Sequence, residues 1–276
     1  MASRVCPYCR SLNGESEQRC YRCGKRIPGQ FASETLAFVR NFLGSDAPLT
    51  KLLLGMELIT FALCVLIDKN LPLFLGGFHT STLLRFGALH GALVGHEPWR
   101  YLSACFVHAG VLHVGMNMFM FTSLGSQLER QFGPWRAALI FVLSGILGFV
   151  VSDIWSGGRV FSVGASGGVF GQVGALIGVL AARRDPLWKR ALTQMLIYAA
   201  LLTFALPGVD TGAHLGGFFA GIALGFGFYV EQSKLRLNRL MAVLGVLGVL
   251  ASAASIVLSS LSPEWKAARQ YELLQQ

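Results

Sequence analysis

The sequence predicts an all-α polytopic membrane protein that begins with a small cysteine-rich domain. Of its 276 residues, 53% are hydrophobic and only 13% are charged, whereas a soluble protein carries about 25% charged residues. The apolar residues also form runs long enough to cross a bilayer as helices, which takes about 20 residues each. This composition excludes a disordered chain, collagen, a secreted disulfide scaffold and an ordinary cytosolic enzyme.

The cysteine-rich head, residues 1–28, contains two Cys-x2-Cys pairs. They are Cys6, Cys9, Cys20 and Cys23. Four cysteines at this spacing are typical of a tetrahedral structural zinc site, and so short a domain needs the metal to fold. A disulfide pair or a redox Cys-x2-Cys motif is the alternative reading. Both fit less well, because we expect this end of the chain in the reducing cytoplasm. A linker is predicted over residues 29–49.

Seven apolar segments are predicted to be transmembrane helices. They are residues 51–66, 101–128, 137–158, 160–182, 191–209, 211–230 and 240–262. Glu57 interrupts the first of them, and we expect it within two turns of a helix end, where water can reach it. Alternating strands of about ten residues, the mark of a transmembrane barrel, are absent from the sequence.

The distribution of Lys and Arg predicts how these helices are oriented. Most of the 23 basic residues precede the first segment or follow the second, fourth and sixth, and cytoplasmic loops collect such residues. We therefore expect the N-terminus in the cytoplasm and the C-terminus outside. The net charge of +9 then reflects the basic residues of the cytoplasmic loops, which anionic lipid headgroups also attract. No nucleic-acid partner is expected. A bacterial plasma (inner) membrane is the predicted location, since no organelle targeting sequence is visible.

Polar residues at the beginning of three segments indicate a site within the membrane. His108, His113 and Asn117 open the second segment, Ser166 the fourth and His214 the sixth. Because even-numbered segments run from outside to inside, all five are expected at one level near the outer face. Polar groups inside a bilayer are costly and by default mark function.

A serine and a histidine at one level can perform acyl transfer. Histidine is the usual base for a serine hydroxyl, and the free amides at the helix start at Ser166 favour an anion. His113, Asn117 and the Ser166 amide could donate to the oxyanion. Asp210 is predicted in a loop, so a dyad with His214 is favoured over a triad. Taken singly, the glycine-rich motif could be helix packing and His214 a packing histidine.

Together these residues resemble the rhomboid family of intramembrane serine proteases over roughly residues 50–230. The matching motifs are Trp99-Arg100, His108-x4-His113-x3-Asn117, Gly125-x3-Glu129-x3-Gly133, Gly164-x-Ser166-Gly167 and Ala213-His214-x2-Gly217-x3-Gly221. The resemblance implies a rhomboid-like six-helix protease core at 50–230. Residues 231–276 would then supply a cytoplasmic loop, one C-terminal transmembrane helix and an external tail.

The resemblance also implies a role for each matched residue. Ser166 would be the nucleophile and His214 the general base, with an oxyanion hole formed by His113, Asn117 and the Ser166 amide. Gly217 and Gly221 would let the sixth helix approach the fourth. Phe170 stands where the family often has tyrosine, which keeps ring stacking on the histidine and removes a hydroxyl. The remaining supporting residues would be His108, Gly164, Gly167, Trp99, Arg100 and Glu129.

The function implied is cleavage of transmembrane protein substrates near the outer face of the lipid bilayer, with structural zinc in the head and no cofactor for catalysis. An inactive rhomboid-like protein that binds or escorts membrane clients is the alternative, although that class is expected to lack the serine or the histidine. A transporter is a weaker alternative, because mid-membrane polar groups and a repeat are not apparent. The zinc-ribbon-like head would bind a protein partner or substrate, or act only as a folding cap.

Overall fold

The computed structural model describes residues 3–6, 8–14, 17–27, 46–69, 77–205 and 208–275. The chain forms two compact units, Met1–Pro48 and Leu49–Gln276. Most of the linker predicted at 29–49 lies outside the described residues.

The head is built from two tight turns, one around each pair of cysteines. Strand β1 (Ser3–Val5) pairs antiparallel with β2 (Leu12–Gly14), and the Cys6 amide donates to the Ser11 carbonyl at 2.8 Å. The second turn is closed by the Cys20 amide on the Lys25 carbonyl at 2.9 Å. Gly24, in this turn, has a φ of +67°, a conformation that glycine adopts without strain. Both turns therefore point sulfur atoms into the centre of the head.

The second unit is helical. Its helices, in the part of the chain that is described, are α1 (Pro48–Asp68), α2 (Thr80–Phe86), α3 (Arg100–Ser103), α4 (Val111–Phe132), α5 (Pro134–Ser156), α6 (Ser166–Ala182), α7 (Leu187–Ala205), α8 (Thr211–Lys234), α9 (Asn238–Leu261) and α10 (Glu264–Leu273). All but α2, α3 and α10 are long. Each of the seven long helices overlaps one of the seven predicted segments.

Several of these helices can cross a membrane. Among the described residues, α1, α5, α8 and α9 are long and apolar enough to do so. A fifth candidate joins residues Arg100–Phe106 to α4 across a bend of 95°, and α6 is apolar but shorter. The protein is therefore a multi-pass membrane protein, as the composition predicts.

Two predicted segments begin later than expected, for local structural reasons. The segment predicted at 101–128 is broken, because Val107 and Gly110 have extended backbones, so His108 lies in the break and not in the first turn of a helix. The segment predicted from residue 160 becomes helical only at Ser166. Its first residues form strand β4 (Phe161–Ser162), which pairs antiparallel with β3 (Leu89–His90).

Glu57 contradicts the prediction that water reaches it from a helix end. It lies in the middle of α1 and its side chain is 0% exposed. Both carboxyl oxygens are buried without a hydrogen-bond partner among the described residues. The reason is its place on the inward stripe of α1, whose spacing of three and four residues turns one helix face to the bundle. That buried stripe comprises Thr50, Leu53, Glu57, Thr60 and Cys64.

Helices α6 and α8 approach so closely that their backbones touch, because glycines line the contact. A Cβ atom added to Gly217 would collide with the carbonyl oxygen of Gly167, and one added to Gly221 with that of Gly171. Small residues allow such approach between membrane helices, where close packing replaces the hydrophobic effect as the driving force. The contact sets the beginnings of α6 and α8 side by side.

Polar contacts tie the helices together at the opposite end of the bundle. The Glu129 carboxylate, near the end of α4, accepts from the Thr50 amide at 2.6 Å and from its hydroxyl at 2.7 Å. Arg136 of α5 donates to Glu231 of α8 at 2.6 and 2.9 Å, and to Asn238 of α9 at 2.9 Å. These contacts join five of the long helices through side chains near their ends.

The helix α6–α8 contact can be tested with one added methyl group. We expect Gly221→Ala to lower the free energy of unfolding by about 1–3 kcal/mol, because the methyl meets backbone that cannot move aside. Gly227→Ala is the matched control on the same helix, since a Cβ at Gly227 meets nothing within 4 Å. That variant should be neutral or more stable by up to about 1 kcal/mol. Thermal unfolding in detergent measures both, and equal stability of the two variants would contradict the close contact.

Candidate active site

Ser166 is the first residue of α6, and backbone hydrogen bonds hold the loop that leads into it. In this serine loop, residues 160–165, the Val160 carbonyl accepts from the Gly91 amide at 2.8 Å, and the Gly164 amide donates to the Ala104 carbonyl at 2.9 Å. Between these two contacts, Phe161 and Ser162 pair with strand β3. Gly164 has a φ of +130°, which a side chain would disfavour. The loop is thus fixed from two sides before the helix begins.

His214 lies one hydrogen bond from Ser166. Its Nε2 atom is 2.8 Å from the Ser166 Oγ atom, within the range expected of a nucleophile and its base. His214 itself lies in the first turn of α8 and is 8% exposed. The two side chains come from helices whose glycines allow the approach.

Asp210 caps α8 with its carboxylate. That carboxylate accepts from the Ala213 amide at 2.9 Å and from the Ser152 hydroxyl at 2.7 Å, while its backbone carbonyl accepts from the His214 amide at 3.1 Å. Asp210 therefore orients the helix start that carries His214, and these contacts leave its carboxylate directed at the cap. Ser152 was not anticipated from the sequence, where a lone serine in an apolar segment gives no signal.

Phe170 stacks on the ring of His214. The two ring centroids are 4.3 Å apart and the planes differ by 13°. Phe170 follows Ser166 by four residues, which places both on one face of α6. The stack restrains rotation of the imidazole ring about the Cβ–Cγ bond and so keeps Nε2 directed at Ser166.

His113 lies close to Gly164, two residues before Ser166. The Ala109 amide donates to His113 Nδ1 at 3.4 Å, so the ring hydrogen is on Nε2 when the imidazole is neutral. A Cβ atom built on Gly164 would lie 2.7 Å from His113 Nε2 and 3.8 Å from Ser166 Oγ. The open side of Gly164 therefore faces a ring donor and the serine hydroxyl together.

Asn117 contacts the backbone of His113, whereas His108 contacts the serine loop. The Asn117 amide donates one hydrogen to the His113 carbonyl at 2.9 Å, and its second amide hydrogen is not used by that bond. His108 is fully buried and accepts from the Ala165 amide through Nε2 at 3.4 Å. Its ring also meets His113 edge to face, with centroids 5.1 Å apart. His108 thus contacts the serine loop and the neighbouring ring.

Arg100 holds the segment around residues 84–88, which precedes strand β3. It is fully buried and donates to the carbonyls of Leu84 at 2.9 Å and Ala88 at 3.0 Å, and its Nε atom pairs with Glu97. Glu97 is a residue that the sequence reasoning missed, although its spacing of three from Arg100 is a usable signal for a pair. The neighbouring Trp99 has its indole nitrogen buried without a partner among the described residues.

The four head cysteines could hold a metal ion. Their sulfur atoms all lie within 4.8 Å of one another, with Cys6 to Cys23 at 3.7 Å and Cys9 to Cys20 at 3.5 Å. A tetrahedral ion with bonds of about 2.3 Å to sulfur separates the sulfurs by about 3.8 Å, so the residues fit such an ion.

Hydrogen bonds to Cys20 favour the thiolate that a metal binds. Burial acts to raise the pKa of Cys20, but the Ser11 hydroxyl and the amides of Cys23 and Arg22 outweigh it and lower the pKa to about 5. The Ser11 hydroxyl lies 3.0 Å from this sulfur.

Comparison with known proteins gives a consistent family. The family model for the Rhomboid domain matches residues 95–231. Over 157 residues the chain is 38% identical to "RHOMBOID-like protein 6, mitochondrial" of Arabidopsis thaliana, which covers 54% of this chain and 50% of that protein. It is 34% identical over 158 residues to "Rhomboid protease GluP" of Bacillus subtilis (strain 168), covering 54% and 31%.

The chain is also similar to a fungal protein. "Rhomboid-type serine protease 2" of Emericella nidulans is 35% identical over 155 residues, which are 54% of this chain and 31% of that protein. The matched stretch spans half or less of the length of each of these three relatives. The matched domain contains Ser166, His214 and His113, whereas strand β3, which holds the serine loop, precedes it. Residues 95–231 are a rhomboid domain.

Proposed function

We propose that the protein is a serine endopeptidase that cleaves transmembrane segments of other membrane proteins. The observation that carries the proposal is the 2.8 Å separation of Ser166 Oγ and His214 Nε2, at the beginning of two helices in a multi-pass membrane protein. The alternative, a client-binding protein without activity, has no use for this pairing. Two relatives with protease in their names support the same reading.

In the proposed reaction Ser166 Oγ attacks the carbonyl carbon of the scissile peptide bond. His214 Nε2 takes the hydroxyl proton as the new carbon–oxygen bond forms, and the carbonyl oxygen becomes an oxyanion. The Ser166 amide, at the start of α6, has no helical acceptor and can donate to this oxyanion. His113 Nε2 and the second amide hydrogen of Asn117 supply further donors, a contribution of about 2.7–4 kcal/mol each in soluble enzymes.

Collapse of this intermediate transfers the His214 proton to the leaving nitrogen and breaks the peptide bond, which leaves an ester on Ser166. His214 then removes a proton from water, the hydroxide attacks the ester carbon, and the returning proton frees the serine. His214 must accept through Nε2, so its other ring nitrogen carries the hydrogen. The stacked ring of Phe170 keeps the imidazole in this orientation through both steps.

The proposed site opens to one side of the membrane. Ser166, His214 and His113 lie at the beginnings of α6, α8 and α4, so all three occur at one end of the bundle. With the N-terminus in the cytoplasm, as the Lys and Arg distribution favours, that end faces outward in a plasma membrane. Water for hydrolysis would reach Ser166 from there.

Zinc is the metal we propose for the head, in a structural role. Four thiolates and tetrahedral spacing suit zinc better than a cation that prefers oxygen ligands. The head residues 1–28 would then fold with the ion, and residues 29–49 would link them to a protease core at 50–230. A protein partner or substrate that docks on the head is part of the proposal.

Removing the proposed nucleophile tests the assignment directly. We expect Ser166→Ala to lower cleavage of a model transmembrane substrate on the order of 10⁶-fold, to below detection. The variant lacks the oxygen that attacks and therefore cannot form the ester. His214→Ala should lose activity similarly, since the two residues act as a unit. Cleavage in detergent and labelling by a fluorophosphonate probe provide the measurements.

Ser123→Ala is the matched control for this experiment. Ser123 is exposed on α4, and among the described residues its hydroxyl donates only to the Phe119 carbonyl, so its loss should leave labelling and cleavage unchanged. Cleavage that persists in Ser166→Ala would exclude the proposed nucleophile. Absence of labelling in a folded wild-type preparation would instead favour a client-binding role.

The ring stack predicts a smaller, graded effect. An aromatic pair contributes about 0.5–1.5 kcal/mol beyond burial, so Phe170→Ala should lower kcat roughly 2- to 12-fold. Phe170→Tyr should retain most of the activity because the stack remains. Phe226→Ala, at a half-exposed ring on α8, is the control. Steady-state kinetics distinguishes these variants, and wild-type kcat in Phe170→Ala would contradict the role of the stack.

Metal analysis tests the head. We expect one equivalent of zinc in the purified full-length protein, and its loss in Cys20→Ser because a thiolate ligand is removed. Cys105→Ser should keep the zinc, since Cys105 is buried in the helical unit. Elemental analysis by mass spectrometry reads out both variants. A wild-type protein that binds no zinc even after zinc is supplied would exclude the site.

A further inference from the structure

The C-terminal helix α10 binds the beginning of α2. Glu272 accepts from the Ser81 amide at 3.1 Å and from the Ser81 hydroxyl at 2.6 Å. Ser81 lies in the first turn of α2, where amides have no partner within the helix, and a negative charge is favoured there by the helix dipole. A residue 191 positions later in the chain therefore supplies the cap that α2 lacks.

A second contact joins the two helices near the end of α2. The Arg85 guanidinium lies over the Trp265 ring, 4.5 Å from its centroid, which is a cation–π geometry. The Trp265 indole in turn donates to the Ser260 carbonyl of α9 at 3.1 Å. Helix α10 is thus fixed to α9 on one side and to both ends of α2 on the other.

The same contact extends by packing to the serine loop. Trp265 and Ala268 of α10 pack against the buried cluster that contains Leu83 and Leu84 of α2. Val163, two residues before Ala165 in the serine loop, packs against the same cluster. One continuous apolar core therefore touches both the C-terminal helix and the chain immediately before Ser166.

The backbone makes a parallel connection from α2 to the serine loop. Helix α2 ends at Phe86, and strand β3 begins three residues later at Leu89. Leu89 pairs with Ser162 in the ladder that holds the serine loop. Between α2 and β3, the Gly87 carbonyl accepts a hydrogen bond from the Ser103 hydroxyl at 2.9 Å. The Ser103 hydroxyl in turn accepts from the Ser259 hydroxyl of α9 at 3.3 Å.

We propose that α10 is a brace that positions the serine loop, acting through α2 and β3, with Glu272 and Trp265 as positioning residues. The inference rests on the proposed function, because it assigns the brace to the serine that would react. Both α2 and α10 lie outside residues 95–231, so the brace is built from two extensions that flank the rhomboid domain.

The need for a brace follows from the size of the ladder. Strands β3 and β4 have two residues each, and a two-stranded ribbon is at best marginally stable alone. A reacting serine, however, must stay within about 0.5 Å of its productive position. External support for β3 therefore acts on the reacting atom itself, although α10 never touches it.

The experiment compares four variants of the full chain: Glu272→Ala, Trp265→Ala, Glu272→Gln and Arg269→Gln. Arg269 is exposed on α10 and serves as the control. Two readouts are taken, the second-order rate of fluorophosphonate labelling of Ser166 and the hydrogen exchange of a peptide covering residues 159–165. Substrate cleavage is measured alongside, to separate kcat from KM.

We expect Glu272→Ala and Trp265→Ala each to slow labelling about tenfold and to speed exchange of the serine loop. The first loses hydrogen bonds to a charged group and the second a cation–π contact. The loss should appear in kcat with KM unchanged. Glu272→Gln keeps an acceptor oxygen and should recover most of the rate, and Arg269→Gln should match the wild type.

Exchange of the serine loop decides the inference independently of catalysis. If Glu272→Ala and Trp265→Ala leave the exchange of residues 159–165 at the wild-type rate, or if Arg269→Gln speeds it equally, the brace is refuted. If exchange rises as expected while wild-type Ser166 takes no probe, the brace stands and the proposed protease activity fails.

Discussion

The contact between α6 and α8 is the constraint on which the proposed site depends. Serine and histidine side chains are short, so a 2.8 Å separation between Ser166 and His214 requires helix backbones that almost touch. Gly167 and Gly217 meet at that point, and the pattern repeats one turn on at Gly171 and Gly221. A side chain at Gly217 or Gly221 would collide with the backbone of α6 and separate the helices. No rotamer change of Ser166 and His214 could then restore the distance.

Close packing at one end of the bundle is complemented by polar bonds at the other. Glu129 holds the start of α1 through Thr50, and Arg136 joins α5 to α8 and α9 through Glu231 and Asn238. Charged groups are costly within the hydrocarbon region but less so near its edge, where these residues lie near helix ends. The bundle is therefore clamped by these polar contacts at the end that lies away from the site.

The lengths of the apolar segments and the polar residues at their beginnings explain what could be predicted from the sequence. Apolar length alone indicates seven helices, and the spacing of residues such as Ser166 and His214 indicates which helix ends carry chemistry. The break around His108 could not be predicted, because extended residues within an apolar run leave hydropathy unchanged. The burial of Glu57 was predicted wrongly, since its position along the helix says nothing of which neighbours cover it. The pairing of Glu272 with Ser81 has no local signal at all.

Ser166 and His214 are positioned by different physical means, and this has consequences for which substitutions the fold tolerates. Backbone hydrogen bonds hold the serine loop, to Ala104 and to strand β3, so side chains there can vary where the backbone conformation is kept. Gly164 is the exception, because its φ of +130° and its open face toward His113 both exclude a side chain. The imidazole of His214 is instead set by side chains: the ring of Phe170 on its face and the Asp210 cap beneath its helix. Substitutions around the serine should therefore act through the backbone, whereas those around the histidine should act through the orientation of one ring.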